Sequence, residues 1–257
     1  MLRVHNEAER AELYITGAIV DDTDGAALAA WELSDGYEWP ADIKAQLDAM
    51  RGKPLTVYIN SDGGSVPAGI AIANMISRHD APTKAVIDGW CCSIATQIFF
   101  AANEREMPEN AYLMIHKPWT IAKGDADDML KAAEFLDTLQ AGLETTYQKA
   151  ARDGVTADDI HAMMEKETWL TGKDAADVFD IEITQAAPVL NCYDGTHWRA
   201  KNKPDGVQVI TEETAEPETE TPIFNADVDA DAEAEAKEKQ AARIKAALAL
   251  AKGVIAV

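Results

Sequence analysis

A serine, a histidine and a pair of glycines stand in three short segments whose order could assemble a hydrolytic site. The first segment is Val57-Tyr58-Ile59-Asn60-Ser61-Asp62-Gly63-Gly64-Ser65, the second Gly89-Trp90-Cys91-Cys92-Ser93-Ile94-Ala95-Thr96, and the third Tyr112-Leu113-Met114-Ile115-His116-Lys117-Pro118. Serine is a poor nucleophile at neutral pH and needs a base within hydrogen-bond reach. An acyl-transfer reaction also needs backbone N–H groups aimed at the oxyanion that develops. Ser93 can supply the nucleophile, His116 the base, and glycines without a Cβ an open backbone donor. Each has an ordinary alternative. Serine caps helices, Gly-Gly makes turns at positive φ, and a lone histidine at a strand end is often structural. The other four histidines (His5, His79, His161, His197) have no partner segment and read as surface residues.

The elements around these segments must bring them together. Ala11 to Ile19 reads as a strand, Asp42 to Met50 as a helix, and Leu55 to Ile59 as a buried strand. Pro67 to Ser77 carries Ile70, Ile72, Met75 and Ile76 at helical spacing directly behind the glycine turn. Lys84 to Asp88 is a predicted strand, Ser93 to Ala102 a helix that Ser93 begins, and Ala111 to Ile115 a strand that ends at His116. Strands alternating with helices in this rhythm imply parallel crossovers and an α/β core.

From Asp125 to Glu167 the pattern becomes helical, with Met129, Leu130, Ala133, Leu136, Leu139, Leu143 and Tyr147 in register. Gly154 then stops the helix and Thr156 caps a new one. Thr171, three residues before Asp174, starts a further helix, and Ile181 to Ile183 is a short closing strand. After about Ala187 the pattern fades. Between Glu212 and Glu238 eleven acidic residues face Lys237 alone, so much of the net charge of −22 lies in one stretch. Such a segment, rich also in Thr and Pro, cannot offset the entropy of ordering it. Ala232 to Ala251 is helix-forming by composition. The expected organisation is a domain over residues 1–187, a disordered acidic linker over 188–231, and a C-terminal helix over 232–257.

The chain from about Glu12 to Gln185 resembles the Clp-type (ClpP-like) serine peptidases, and within them the phage head-maturation, or prohead protease, branch. The resemblance lies in Tyr58-Ile59-Asn60-Ser61-x-Gly63-Gly64-Ser65-Val66-x-Ala68-Gly69, in Gly89-x-x-x-Ser93, in Met114-Ile115-His116-x-Pro118, and in the later Glu167-Thr168-Trp169-Leu170-Thr171-Gly172-Lys173-Asp174-Ala175. It implies an α/β fold of the ClpP/crotonase type, a superhelix of repeated β-β-α units, with a helical handle over about 125–165 that joins subunits into rings. It implies a serine endopeptidase with Ser93 as nucleophile, His116 as general base, and the backbone N–H groups of Gly64 and Ile94 as the oxyanion hole. The family's third member is an aspartate; Glu167 occupies its place, with Glu165 as the fallback. Asp62 stands where the family has proline in the turn. Cys91 and Cys92 stand where small residues are usual, and packing explains them better than a nucleophilic role for Cys92.

Expected substrates, on the same resemblance, are phage scaffold or capsid precursor proteins, cut inside the assembling prohead in the host cytoplasm. A homo-oligomer, no cofactor, no metal and no ATPase partner are expected, the chain having no nucleotide-binding motif. The acidic balance argues against nucleic acid, which needs a basic face. No apolar run approaches the roughly 20 residues that span a bilayer. Three cysteines give neither a disulfide framework nor metal-ligand spacing. Two other readings share the fold: a crotonase-like acyl-CoA enzyme using paired backbone N–H groups, and a catalytically silent capsid-assembly protein.

Overall fold

In the chain's computed structural model, residues 5–6 and 10–186 are described. The predicted acidic linker and C-terminal helix lie outside them. β1 (His5–Asn6) pairs antiparallel with β2 (Ala11–Ile19), the latter at the bounds its sequence predicts. α1 (Asp22–Ala30) follows, its first turn held by the Asp21 carboxylate, which accepts from the N–H groups of Thr23 and Asp24. β3 (Tyr37–Glu38) then leads into α2 (Pro40–Ala49). Sequence periodicity did not indicate α1 or β3. The helix is alanine-rich with only Gly25 and Leu28 buried, and a strand of two residues has no period to read.

β4 (Leu55–Gly64), α3 (Val66–Ser77), β5 (Thr83–Cys92) and α4 (Ala95–Phe100) form the central crossovers. β6 (Glu104–Pro108) and β7 (Tyr112–Ile115) come next. The sheet runs in the order β1, β2, β4, β5, β6 and the closing strand β9 (Glu182–Thr184), with β3 beside β2, and with β7 beside β5 and carrying β8 (Thr168–Thr171). From β2 to β6 the pairings along this path are parallel. Ala11, Leu13 and Ile15 on β2 and Leu55, Val57 and Ile59 on β4 are buried, as are Ile72, Ile76, Ile98 and Phe99 of the helices. The alternate residues of the same strands are only half covered. Tyr14 and Tyr58 stack there at a centroid distance of 5.0 Å, and Lys84 pairs with Glu106. The buried strand expected over Leu55 to Ile59 is therefore apolar on one face only.

The handle segment is two helices, α5 (Ala126–Ala150) and α6 (Ala157–Glu165). Both begin with capping boxes, Asp125 with Asp128 and Thr156 with Asp159, as the sequence predicts for Thr156. The buried residues of α5 are Gln140, Leu143, Tyr147 and Ala150, all in its second half. Leu130 and Phe135 in the first half are 63% and 58% exposed, so this half extends beyond the core. β8 (Thr168–Thr171), α7 (Gly172–Val178) and β9 (Glu182–Thr184) close the domain, with Thr171 donating to the Asp174 carboxylate at 2.6 Å. Among the described residues no helix is long and apolar enough to cross a membrane.

Candidate functional site

The site lies where β4, β5 and β7 end. Parallel pairing of β4 with β5 holds from Leu55↔Thr83 to Ile59↔Ile87, then slips so that Ser61 faces Cys91. Asp88, Gly89 and Trp90 thus form a bulge opposite Asn60. The Asn60 side-chain oxygen fills the gap, accepting from the Trp90 N–H at 3.0 Å. Gly89 must be small here, since a Cβ would stand 2.9 Å from that oxygen. Bulges of this kind bend a strand and re-aim the side chains beyond the bend. Here the bend redirects the strand end that carries Ser93.

Ser93 lies in the turn between β5 and α4, ahead of the helix that the sequence led one to expect it to begin. Its φ is +56°, the left-handed region. For a residue with a Cβ that conformation costs roughly 1–2 kcal/mol and persists only where neighbours enforce it. The Ser93 N–H donates to the Met114 carbonyl of β7 at 2.9 Å, and the Ser93 carbonyl accepts from the Thr96 N–H at 3.0 Å. The hydroxyl is not used as a helix cap. It lies 2.7 Å from His116 Nε2.

His116 comes directly after β7, as predicted. β7 and β8 run antiparallel with Tyr112↔Thr171 and Ile115↔Thr168 in register, so the next position outward sets His116 across from Glu167. Glu167 itself has φ +52° in the corner between α6 and β8. Glu165 points elsewhere: its carboxylate lies 3.6 Å from Lys117 Nζ and 3.7 Å from His161 Nε2. His161 is half exposed and also contacts Glu144 at 2.8 Å, while His79 contacts the Lys53 carbonyl at 2.9 Å, so neither belongs to the site.

The glycine turn backs onto the serine turn. A Cβ on Gly63, whose φ is +93°, would stand 2.7 Å from the Ser93 Cβ and 3.1 Å from the Ile94 nitrogen. Gly64 has φ +145° and pairs with Ile19, whose carbonyl oxygen would meet a Cβ at 2.0 Å. Ser61 pins the approach, donating to the Gly17 carbonyl at 2.5 Å and accepting from the Gly63 N–H at 3.1 Å. The backbone of Gly63–Gly64 and that of Ser93–Ile94 thereby lie side by side.

Cys91 and Cys92 are fully buried. Burial pushes both thiols well above the ordinary range, and for Cys92 the Cys91, Asp62 and Glu167 charges push the same way. A thiol kept neutral and out of solvent is a packing residue, not a nucleophile. Sequence reading missed Asn60 as the filler of the bulge, Thr96 as a partner of Ser93 and Tyr147 as a partner of Thr96. Asn60 belongs to a quoted motif, but the slip in register that gives it work is a property of two strands together.

Comparison with known proteins bears on the family and the fold. The ATP-dependent Clp protease proteolytic subunits of Streptococcus pneumoniae strains Hungary19A-6 and CGSP14 are each 27% identical over 183 residues, covering 70% of this chain and 86% of theirs. Among solved structures, a ClpP1 mutant from Listeria monocytogenes superposes with a TM-score of 0.54 at 26% identity, covering 68% of this chain and 91% of its own. The fold is thus the ClpP-like α/β superhelix that the sequence motifs imply. Residues 41–178, more than half of the chain, match the Clp protease family model, and to that family the chain belongs.

Proposed function

We propose that the chain is a serine endopeptidase in which Ser93 attacks, His116 moves the proton and Glu167 orients the histidine. The observation that carries this reading is the 2.7 Å contact between Ser93 Oγ and His116 Nε2. The Ser93 oxygen adds to the scissile carbonyl carbon while its proton passes to Nε2. The N–H groups of Gly64 and Ile94 receive the resulting oxyanion. Collapse of the tetrahedral adduct breaks the C–N bond, and His116 returns the proton to the departing amine. Water, deprotonated by the same imidazole, then cleaves the acyl-serine. For Nε2 to accept, the ring must carry its other proton on Nδ1, the tautomer a carboxylate on the Glu167 side favours.

The biological setting we propose is phage head maturation, with scaffold or capsid precursor protein cut inside the assembling prohead, in the host cytoplasm. The motif resemblance to the prohead branch supports this, and the family supports a homo-oligomer. The exposed Leu130 and Phe135 in the first half of α5 are suited to subunit contact. Cleavage is taken to need no ATPase partner. Labelling with a fluorophosphonate probe, lost in Ser93→Ala, tests the chemistry and separates it from an acyl-CoA enzyme or a silent assembly protein. Co-expression with scaffold and capsid precursor, without any ATPase, tests the setting. Intact precursors beside a labelled enzyme would leave a peptidase of another pathway.

A further inference from the structure

The nucleophile's carbonyl is held by more than its own turn. Besides the Thr96 N–H, it accepts the Thr96 hydroxyl at 2.6 Å. That hydroxyl lies 2.6 Å from the Tyr147 hydroxyl on α5. A carbonyl oxygen can only accept, so the single Thr96 hydroxyl proton is committed to Ser93, and Tyr147 must be the donor to Thr96. The relay therefore runs from Tyr147 through Thr96 to the Ser93 carbonyl. Tyr147 is 1% exposed, and burial pushes its phenol up to about 12, so it stays a donor at working pH.

The Ser93 carbonyl and the Ile94 N–H belong to one planar trans peptide and point in opposite directions. Whatever fixes that carbonyl also aims the Ile94 N–H. We propose that Tyr147 and Thr96 are positioning residues that hold the left-handed Ser93 turn and thereby aim the Ile94 oxyanion donor. This rests on Ser93 being the nucleophile. It also ties the nucleophile's turn to the same helix whose other half exposes Leu130 and Phe135.

The ring of Tyr147 packs on Phe100 and Phe179 at 5.9 and 6.1 Å, so Tyr147→Phe keeps the packing and removes only the hydroxyl. Probe labelling and peptide hydrolysis are measured in the full chain for Tyr147→Phe, Thr96→Val, Thr96→Ser and the Tyr147→Phe/Thr96→Val pair. Small errors of alignment cost up to about 100-fold. Expected is a drop of roughly 10- to 100-fold in kcat and labelling rate at little changed KM. Thr96→Ser should restore the rate, and the double variant should be no worse than Thr96→Val. Unchanged labelling in Tyr147→Phe, a loss confined to KM, or losses that multiply would overturn the relay. Amide exchange over residues 93–96 is read in parallel, needing no activity. Faster exchange there alone in Tyr147→Phe supports the relay, and unchanged exchange rejects it, even if the wild type proves inert to the probe and the peptidase reading falls.

Discussion

Gly63 lies against Ser93 so closely that a methyl group on it would stand 2.7 Å from the serine Cβ. The two residues are 30 positions apart in the chain, yet the turn after β4 leaves no room for anything larger beside the turn after β5. Gly63→Ala is expected to displace the Ser93 turn and lower probe labelling by at least about 100-fold, since near-attack geometry is lost. Gly64→Ala should lower the thermal midpoint as well as labelling, because its Cβ would meet the Ile19 carbonyl oxygen at 2.0 Å and break the strand end that carries the proposed oxyanion donor. Labelling rates and melting curves separate the two effects.

Catalysis should fall steeply on removal of Ser93 or His116, by about 10⁴-fold or more, and less on removal of the orienting carboxylate. Glu167→Gln is expected to cost activity, and Glu165→Gln, whose carboxylate engages Lys117 and His161, to stay near wild type. Hydrolysis of a peptide substrate by the two variants decides the matter. A larger loss from Glu165→Gln would overturn the assignment.

A stability effect with a definite sign comes from Glu38, 5% exposed on β3. Burial, first of all, raises its carboxyl from 4.5 to about 8; the Thr16 N–H opposes the rise and Asp42 adds to it. Oε2 has no hydrogen-bond partner among the described residues. Between those values the native state holds a proton that the unfolded chain has released, so stability contributed by the neutral carboxyl is full below about 4.5 and is lost as pH rises towards 8. Glu38→Gln should match wild type near pH 5 and exceed it near pH 9. The difference is on the order of a few kcal/mol, from about 1.4 kcal/mol per pKa unit. Denaturant titrations at the two pH values check it. Equal stabilities at pH 9 would show that the carboxyl ionises without cost.

Self-association should depend on the exposed apolar residues of α5. Leu130 and Phe135 are 63% and 58% exposed, whereas Leu136 and Leu139 of the same periodic set are half covered. Leu130→Glu with Phe135→Glu is expected to reduce the mass seen by light scattering while leaving the monomer's melting intact. An unchanged mass would place the subunit contact elsewhere.

Much of the domain was legible locally. The strand Ala11–Ile19, the α3 helix behind the glycines, the histidine at the end of β7 and the Thr156 cap come from period and from cap chemistry, which act between residues a few positions apart. The types of residue at the site, too, were set by the chain alone: a serine after a strand and glycine, a glycine pair, a histidine before Lys-Pro. Tertiary structure decided the rest. The neighbours of Ser93 in the chain suggest that it opens a helix, but the Met114 carbonyl on β7 and the Thr96 hydroxyl hold it in a left-handed turn. The placement of Glu167 across from His116 comes from the β7–β8 register, and the work of Asn60 from a slip between two strands. Tyr147 reads along the chain as one more apolar position of α5. Only the packing of that helix against α4 brings its hydroxyl to Thr96, because a hydrogen-bond partner 51 residues away leaves no mark in a local pattern.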